Sequence, residues 1–193
     1  MGILTVAIVT KPFAFEGKTR LTRAEVGIDK LRQNVNASIV VLNDKLLKLS
    51  KDRITVNKAF ELADNVLEQG IHSVTDLITT VGDINIDFAD INTIFNYQGK
   101  AYMGIGETVE DQTIEDAVKQ AIENPLTENK IDNAKGVIFN VRGGDNLSLN
   151  EINTAMQLIT DKVSPDANVM FGTIIDESLG NDKVVTVIAT GVE

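Results

Sequence analysis

The stretch Ile3-Leu4-Thr5-Val6-Ala7-Ile8-Val9-Thr10 is apolar, rich in β-branched residues and shows no polar alternation. That is the pattern of a strand covered on both faces in a parallel sheet. It does not read as a secretory leader, because it lacks a basic lead-in and a small-residue cleavage site. Working outward, the amphipathic segment Lys18 to Gln33 reads as a helix, and Ala37-Ser38-Ile39-Val40-Val41-Leu42 as a second buried strand. Strand, helix and strand together predict a βαβ unit, and so an α/β fold.

From Thr55 to Thr79, Val56, Phe60, Ala63, Leu67, Ile71, Val74 and Ile78 recur at steps of three and four. This spacing predicts one apolar face of a long helix, with Gly70 as a weak point or bend. Gly82 opens a short polar loop and marks the expected domain junction, after which Phe88 to Asn96 reads as a new helix. Beyond it, strands are expected near Lys100 to Gly106, Gly136 to Val141, Val169 to Ile175 and Lys183 to Ala189. Helices are expected over Ile114 to Glu123 and Asn150 to Lys162. The polar segment Asp176 to Asp182 is short enough for a hairpin between the last two strands, so this second sheet should be mixed.

Composition narrows the function. Residues 1–100 carry 12 Lys or Arg against 12 Asp or Glu, whereas residues 101–193 carry 6 against 16. An acidic second half repels phosphate backbones, which argues against nucleic acid as a partner, and the apolar runs are too short for direct membrane insertion. The chain has no Cys and a single His, His72. Disulfides and thiolate zinc sites therefore find no material, a nucleophilic triad is hard to build from one His, and no metal site is expected. Gly104-Ile105-Gly106 and Arg142-Gly143-Gly144-Asp145 match neither a P-loop nor a dinucleotide fingerprint and read as turns.

Three groups of residues carry both a plain and a chemical reading. Asp87 and Asp90 sit three apart after Asn85. They can be the N-cap and N3 residue of the following helix, or carboxylates that orient a water, or hold it with a cation, for attack on a phosphoryl group. Phe60 and Asp64, four apart, project one turn from each other. They can be a core ring and a solvated acid, or a ring that stacks on guanine beside a carboxylate that accepts from its N1–H and N2 amine. Glu16 and Arg20 can be a surface i, i+4 pair, or can reach ribose hydroxyls and a phosphate.

The string Gly2-Ile3-Leu4-Thr5-Val6-Ala7-Ile8-Val9-Thr10-Lys11-Pro12-Phe13-Ala14-Phe15-Glu16-Gly17 closely resembles a segment of the FtsZ family, the tubulin-like cell-division GTPases of bacteria. Leu42-Asn43-Asp44-Lys45-Leu46-Leu47, Asn85-Ile86-Asp87-Phe88-Ala89-Asp90 and the ending Val185 to Gly191 resemble it further, in the same order. The resemblance implies an incomplete parallel-sheet nucleotide-binding half over 1–81, with a long central helix over about 54–79. It implies a catalytic loop and helix over 82–95, and a smaller C-terminal domain with a mixed four-stranded sheet over 96–193. It assigns Glu16 and Arg20 to ribose and phosphate, Asn43 to the sugar and base, Phe60 to stacking on guanine and Asp64 to its edge. Asn85, Asp87 and Asp90 fall on the catalytic loop, which acts on GTP held by the adjacent subunit. GTP or GDP with Mg2+, self-association into filaments, contact with other division proteins and a cytoplasmic place at the division site complete the implied picture.

Departures from the family pattern are also visible. Asp83 adds a charge where an apolar residue is usual, and Glu110-Asp111-Gln112-Thr113 lacks a common Arg. The glycine-rich loop Gly-Gly-Gly-Thr-Gly-Thr-Gly that cradles the triphosphate occurs nowhere in these residues. This suggests a fragment that binds GTP weakly or not at all alone, with an exposed apolar sheet edge. An alternative expectation is a non-enzymatic module that caps filaments.

Overall fold

The computed structural model describes residues 3–49, 54–80, 82, 84–97, 99–108, 112–123, 126–144 and 146–192. Asp83, Glu110, Asp111 and Asp145 lie outside the described residues. Strands β1 (Val6–Lys11), β2 (Ala37–Leu42), β3 (Gly99–Glu107), β4 (Gly136–Gly143), β5 (Asn168–Ile175) and β6 (Lys183–Thr190) form one sheet in the order β1-β2-β3-β6-β4-β5. Helices α1 (Lys18–Arg32), α2 (Asn43–Leu49), α3 (Val56–Thr79), α4 (Phe88–Phe95), α5 (Ile114–Ile122) and α6 (Leu149–Thr160) fill the connections.

The βαβ unit is present: β1 and β2 pair in parallel over their full length, from Val6 with Ala37 to Lys11 with Leu42. One sheet expectation is extended and another is corrected. The four-stranded mixed sheet exists as β3, β6, β4 and β5, but a parallel pairing of Ala37 to Ile39 with Gly99 to Ala101 joins it to β2. Packing explains the junction. Helix α4 buries Ile91, Ile94 and Phe95 against Ala37, Ile39, Ala101, Ile138 and Ile188, so a single core reaches strands on both sides of the join. The last two strands, moreover, are not a hairpin pair. Strand β6 inserts antiparallel between β3 and β4, while β5 lies parallel beyond β4. Burial drives this order. In the central position β6 hides Val185, Val187 and Ala189 under α5 and α6, and Ile188 on the opposite face.

Helix α3 is continuous, and Gly70 is neither a stop nor a break in it. Gly70 is buried where a Cβ would meet Met103 Cε at 2.9 Å and Ile8 Cδ1 at 3.3 Å, so its role is clearance for strands β3 and β1. The expected apolar stripe is also only half buried. Ala59, Ala63, Gly70 and Leu77 face inward, whereas Val56, Phe60, Ile71 and Ile78 are exposed. Small residues on the inward side let the helix axis approach the sheet closely, and the larger apolar side chains fall on its flank.

Candidate functional site

In a parallel α/β sheet, ligands bind outside the carboxyl ends of the strands. Beyond the ends of β1 and β2 the chain brings together three pieces of sequence. The turn after β1 carries Phe13, Phe15 and Glu16; the start of α2 carries Asn43 and Asp44; the first turns of α3 carry Phe60 and Asp64. The Asp44 carboxylate accepts from Ala14 N–H at 2.9 Å and ties the first two together. Phe13 is fully buried and stacks on Phe15 at 5.0 Å, while Phe60 meets Phe13 edge-on at 5.4 Å and Phe15 at 6.1 Å. Phe60 remains 40% exposed and Phe15 54%, so two rings at right angles present surface to solvent.

The polar residues differ in how far they are engaged. Glu16 accepts from Phe13 N–H at 2.9 Å and from Arg20 at 2.6 Å, which closes the turn and realises the i, i+4 pair. Arg20 is mostly exposed. Asn43 is 4% exposed, and its Oδ1 has no hydrogen-bond partner among the described residues. Such a buried acceptor is costly unless something satisfies it. Asp64 is exposed, one turn beyond Phe60.

Asn85, Asp87 and Asp90 lie at the other end of α3. Asn85 spends its amide locally: Oδ1 accepts from Gly82 N–H at 2.7 Å and Nδ2 donates to Gly82 O at 2.9 Å. Asp87 is the N-cap of α4, accepting from Ala89 N–H at 3.1 Å, and Asp90 occupies the first turn. The plain reading of both is therefore realised. The Asp90 carboxylate makes no hydrogen bond or ion pair with any described residue, and it projects into solvent. Among the described residues no group of three or more His, Cys, Asp or Glu is placed to hold a metal ion.

These two places are far apart. From Phe60 to the end of α3 the chain climbs about 30 Å at 1.5 Å per helical residue, so the rings and the acidic loop of one molecule cannot meet on one small ligand.

Residues 99–193 match the family model described as the FtsZ family, C-terminal domain. Over 98% of its length the chain superposes on an empty FtsZ dimer structure from M. jannaschii with TM-score 0.91 and 36% identity. A point mutant of FtsZ from the same organism matches over 99% of the chain with TM-score 0.92 and 37% identity. The chain belongs to the FtsZ family. It spans 55% and 57% of the two FtsZ chains. A CetZ from Methanosaeta thermophila strain DSM 6194 shares the fold at 19% identity and TM-score 0.75, over 95% of this chain and 51% of that one. The mixed α/β architecture is thus that of FtsZ and its tubulin-like relatives, and no helix among the described residues is long and apolar enough to cross a membrane.

Sequence reading missed several residues that shape these two places. Phe15, the exposed second ring, stood in the quoted string without a role. Thr173, Arg142 and Glu128 contact the site elements from more than 60 residues away in sequence, and no local pattern marks them.

Proposed function

We propose that this chain is the base-reading and catalytic-loop portion of an FtsZ-type GTPase that polymerises into the cytoplasmic division ring, with other division proteins as partners. The observation that carries this reading is the separation of the two sites by the length of α3. A ring-and-carboxylate site at one end and an acidic loop at the other can cooperate only between two molecules stacked end to end. In that arrangement Phe60 stacks on guanine, Asp64 accepts from its N1–H and N2 amine, and Asn43 Oδ1 takes a sugar hydroxyl that ends its unpaired state. Arg20, held by Glu16, reaches toward phosphate. On the far side, Asp87 and Asp90 orient and polarise the water that attacks the γ-phosphoryl group of GTP held by the neighbour, and Asn85 closes the loop that carries them. Mg2+ bound with the nucleotide would supply charge neutralisation at its phosphates, and the exposed Asp90 carboxylate is the residue of this chain that would face it.

The test uses a full-length FtsZ whose own catalytic-loop aspartates are replaced. Addition of this chain restores GTP turnover, and its Asp90→Ala variant does not. Absence of turnover with the wild-type chain overturns the catalytic part of the reading.

The same separation of sites favours a second reading, because the acidic loop can dock on a neighbour whether or not the ring-and-carboxylate end accepts one. A chain that docks its loop on a filament end without accepting the next subunit acts as a cap. Sub-stoichiometric arrest of filament growth, lost in a folded Asp87→Ala variant, distinguishes this reading.

A further inference from the structure

Among the described residues the acidic loop hydrogen-bonds to the sheet at one point, while Ile86 packs on the core beside it. Thr173, buried in β5, receives Ile84 N–H on its Oγ1 at 3.1 Å and donates its own N–H to Ile84 O at 2.9 Å. Ile84 and Thr173 thus face each other as an isolated antiparallel bridge, with the hydroxyl bond added to the backbone one. Flanking residues are small because the backbones nearly touch. A Cβ on Gly82 would lie 1.6 Å from Thr173 O, and one on Gly172 would meet Ile84 O and Ile86 Cγ1, each at 3.1 Å. Asn85 then locks back onto Gly82, and two residues later Asp87 starts α4.

The path from β5 to the carboxylates is therefore a short series of fixed contacts: Thr173 to Ile84, Asn85 to Gly82, Asp87 to Ala89. None of the three loop residues assigned above holds the loop to the rest of the fold. Among the described residues Asn85 and Asp87 bond only within the loop and its helix, and Asp90 faces solvent.

We infer that Thr173 is a positioning residue for the acidic loop, and that β5 sets the place from which Asp87 and Asp90 are offered to a neighbouring subunit. The inference rests on the proposed action of those carboxylates on another subunit's nucleotide. The hydroxyl is the operative group, because the backbone half of the bridge survives any side chain. Thr173→Val keeps the shape and removes the acceptor of Ile84 N–H; Thr173→Ser keeps the acceptor.

Two measurements separate this inference from the catalytic reading. Amide hydrogen exchange followed by NMR reports docking directly at Ile84 N–H and at the Asn85 side-chain NH2. Thr173→Val should speed exchange at Ile84 by about five- to tenfold, the factor carried by one hydrogen bond, and Thr173→Ser should restore it. In the turnover assay described above, Thr173→Val should lower kcat by about tenfold with KM for GTP unchanged, since GTP sits on the other subunit. Exchange at Ile84 unaffected by Thr173→Val overturns the inference, as does a kcat loss that Thr173→Ser does not rescue. If the wild-type chain gives no turnover, the catalytic reading fails, and exchange alone decides whether Thr173 holds the loop.

Discussion

Asp76, in the last turn of α3, forms an ion pair with Arg142 on β4. The pair crosses from the long helix to the mixed part of the sheet, beside a cleft of about 560 Å³ lined by His72, Asn140, Ile174 and Thr186. Eight residues later the chain is held again, by Thr173 on β5. The segment that carries the acidic loop thus leaves α3 between two anchors on adjacent strands, and the helix cannot shift along its axis without straining both.

Both members of this pair are partly shielded, with side-chain exposures of 33% for Arg142 and 21% for Asp76. Its worth should exceed that of an open surface pair. A double-mutant cycle with Asp76→Asn and Arg142→Met is expected to give a coupling energy of about 1–2 kcal/mol from urea unfolding. Additive single effects would mean that solvent screens the pair and that Thr173 alone anchors this end.

Glycines where helices meet the sheet divide by what a methyl group would strike. At Gly70 the nearest atoms are the ends of Met103 and Ile8, which can rotate away, so the gain in helix propensity offsets the crowding. Gly70→Ala is expected to change stability by less than about 1 kcal/mol. At Gly106 a Cβ would stand 1.8 Å from Ala117 O, on the backbone of α5, and nothing flexible intervenes. Gly106→Ala should cost about 3 kcal/mol or more, or prevent folding, because α5 must lift off β3. Thermal unfolding of the two variants compares them directly.

The physical range of an interaction decides how much of this was readable beforehand. Local rules act within one turn or one strand, and they placed β1, β2, α3 and α4 and foresaw Asp87 as a cap with Asp90 in the first turn. Pairing across the sheet is non-local. The segment Asp176 to Asp182 looks like a hairpin turn from composition, yet β6 passes β5 to sit between β3 and β4, since only there are both its faces covered. Gly70 shows the same limit: sequence supplies its poor helix propensity but not the Met103 side chain that needs its space. Within the site, the four motifs that resemble the FtsZ family pointed to Phe60 and Asp64. The partners that fix the acidic loop, Thr173 above all, are ordinary strand residues with no local mark.

If Asp64 reads the edge of guanine, its chemistry can be inverted. A carboxylate accepts from N1–H and the N2 amine, whereas the amide of Asp64→Asn can donate to a carbonyl at the same ring position, as xanthine presents. Asp64→Asn is expected to weaken GDP binding by about tenfold or more and to strengthen xanthosine diphosphate binding by a similar factor. Competition against a fluorescent nucleotide reads both. An equal loss for the two bases would show that Asp64 does not touch the base.

Glu128 offers the clearest pH signature. Its segment runs along the end of β2, with Leu42 N–H donating to Leu126 O at 2.8 Å and Glu128 N–H donating to Val40 O at 3.1 Å. The carboxylate accepts from Lys11 Nζ at 2.9 Å and from Arg32 at 2.7 Å, so it joins β1 and α1 to this segment. Partial burial pushes the Glu128 carboxyl up, but the hydrogen bonds from Lys11 and Arg32, with their charges, outweigh it and hold the group below its ordinary value of 4.5. An unfolded chain regains the ordinary value. Between the two values the unfolded state therefore binds more protons, and stability rises with pH. The contribution of Glu128 is complete above the ordinary glutamate value and is lost as pH falls through the lower value of the folded state. Glu128→Gln, which keeps the shape and removes the charge, should destabilise the fold by about 1.5–3 kcal/mol at neutral pH, the range for hydrogen bonds to charged groups. The gap between variant and wild type should narrow once the pH drops about one unit below the ordinary value. Urea unfolding at the two pH values measures it, and a gap of equal size at both would mean that Glu128 stabilises this junction without its ionised form.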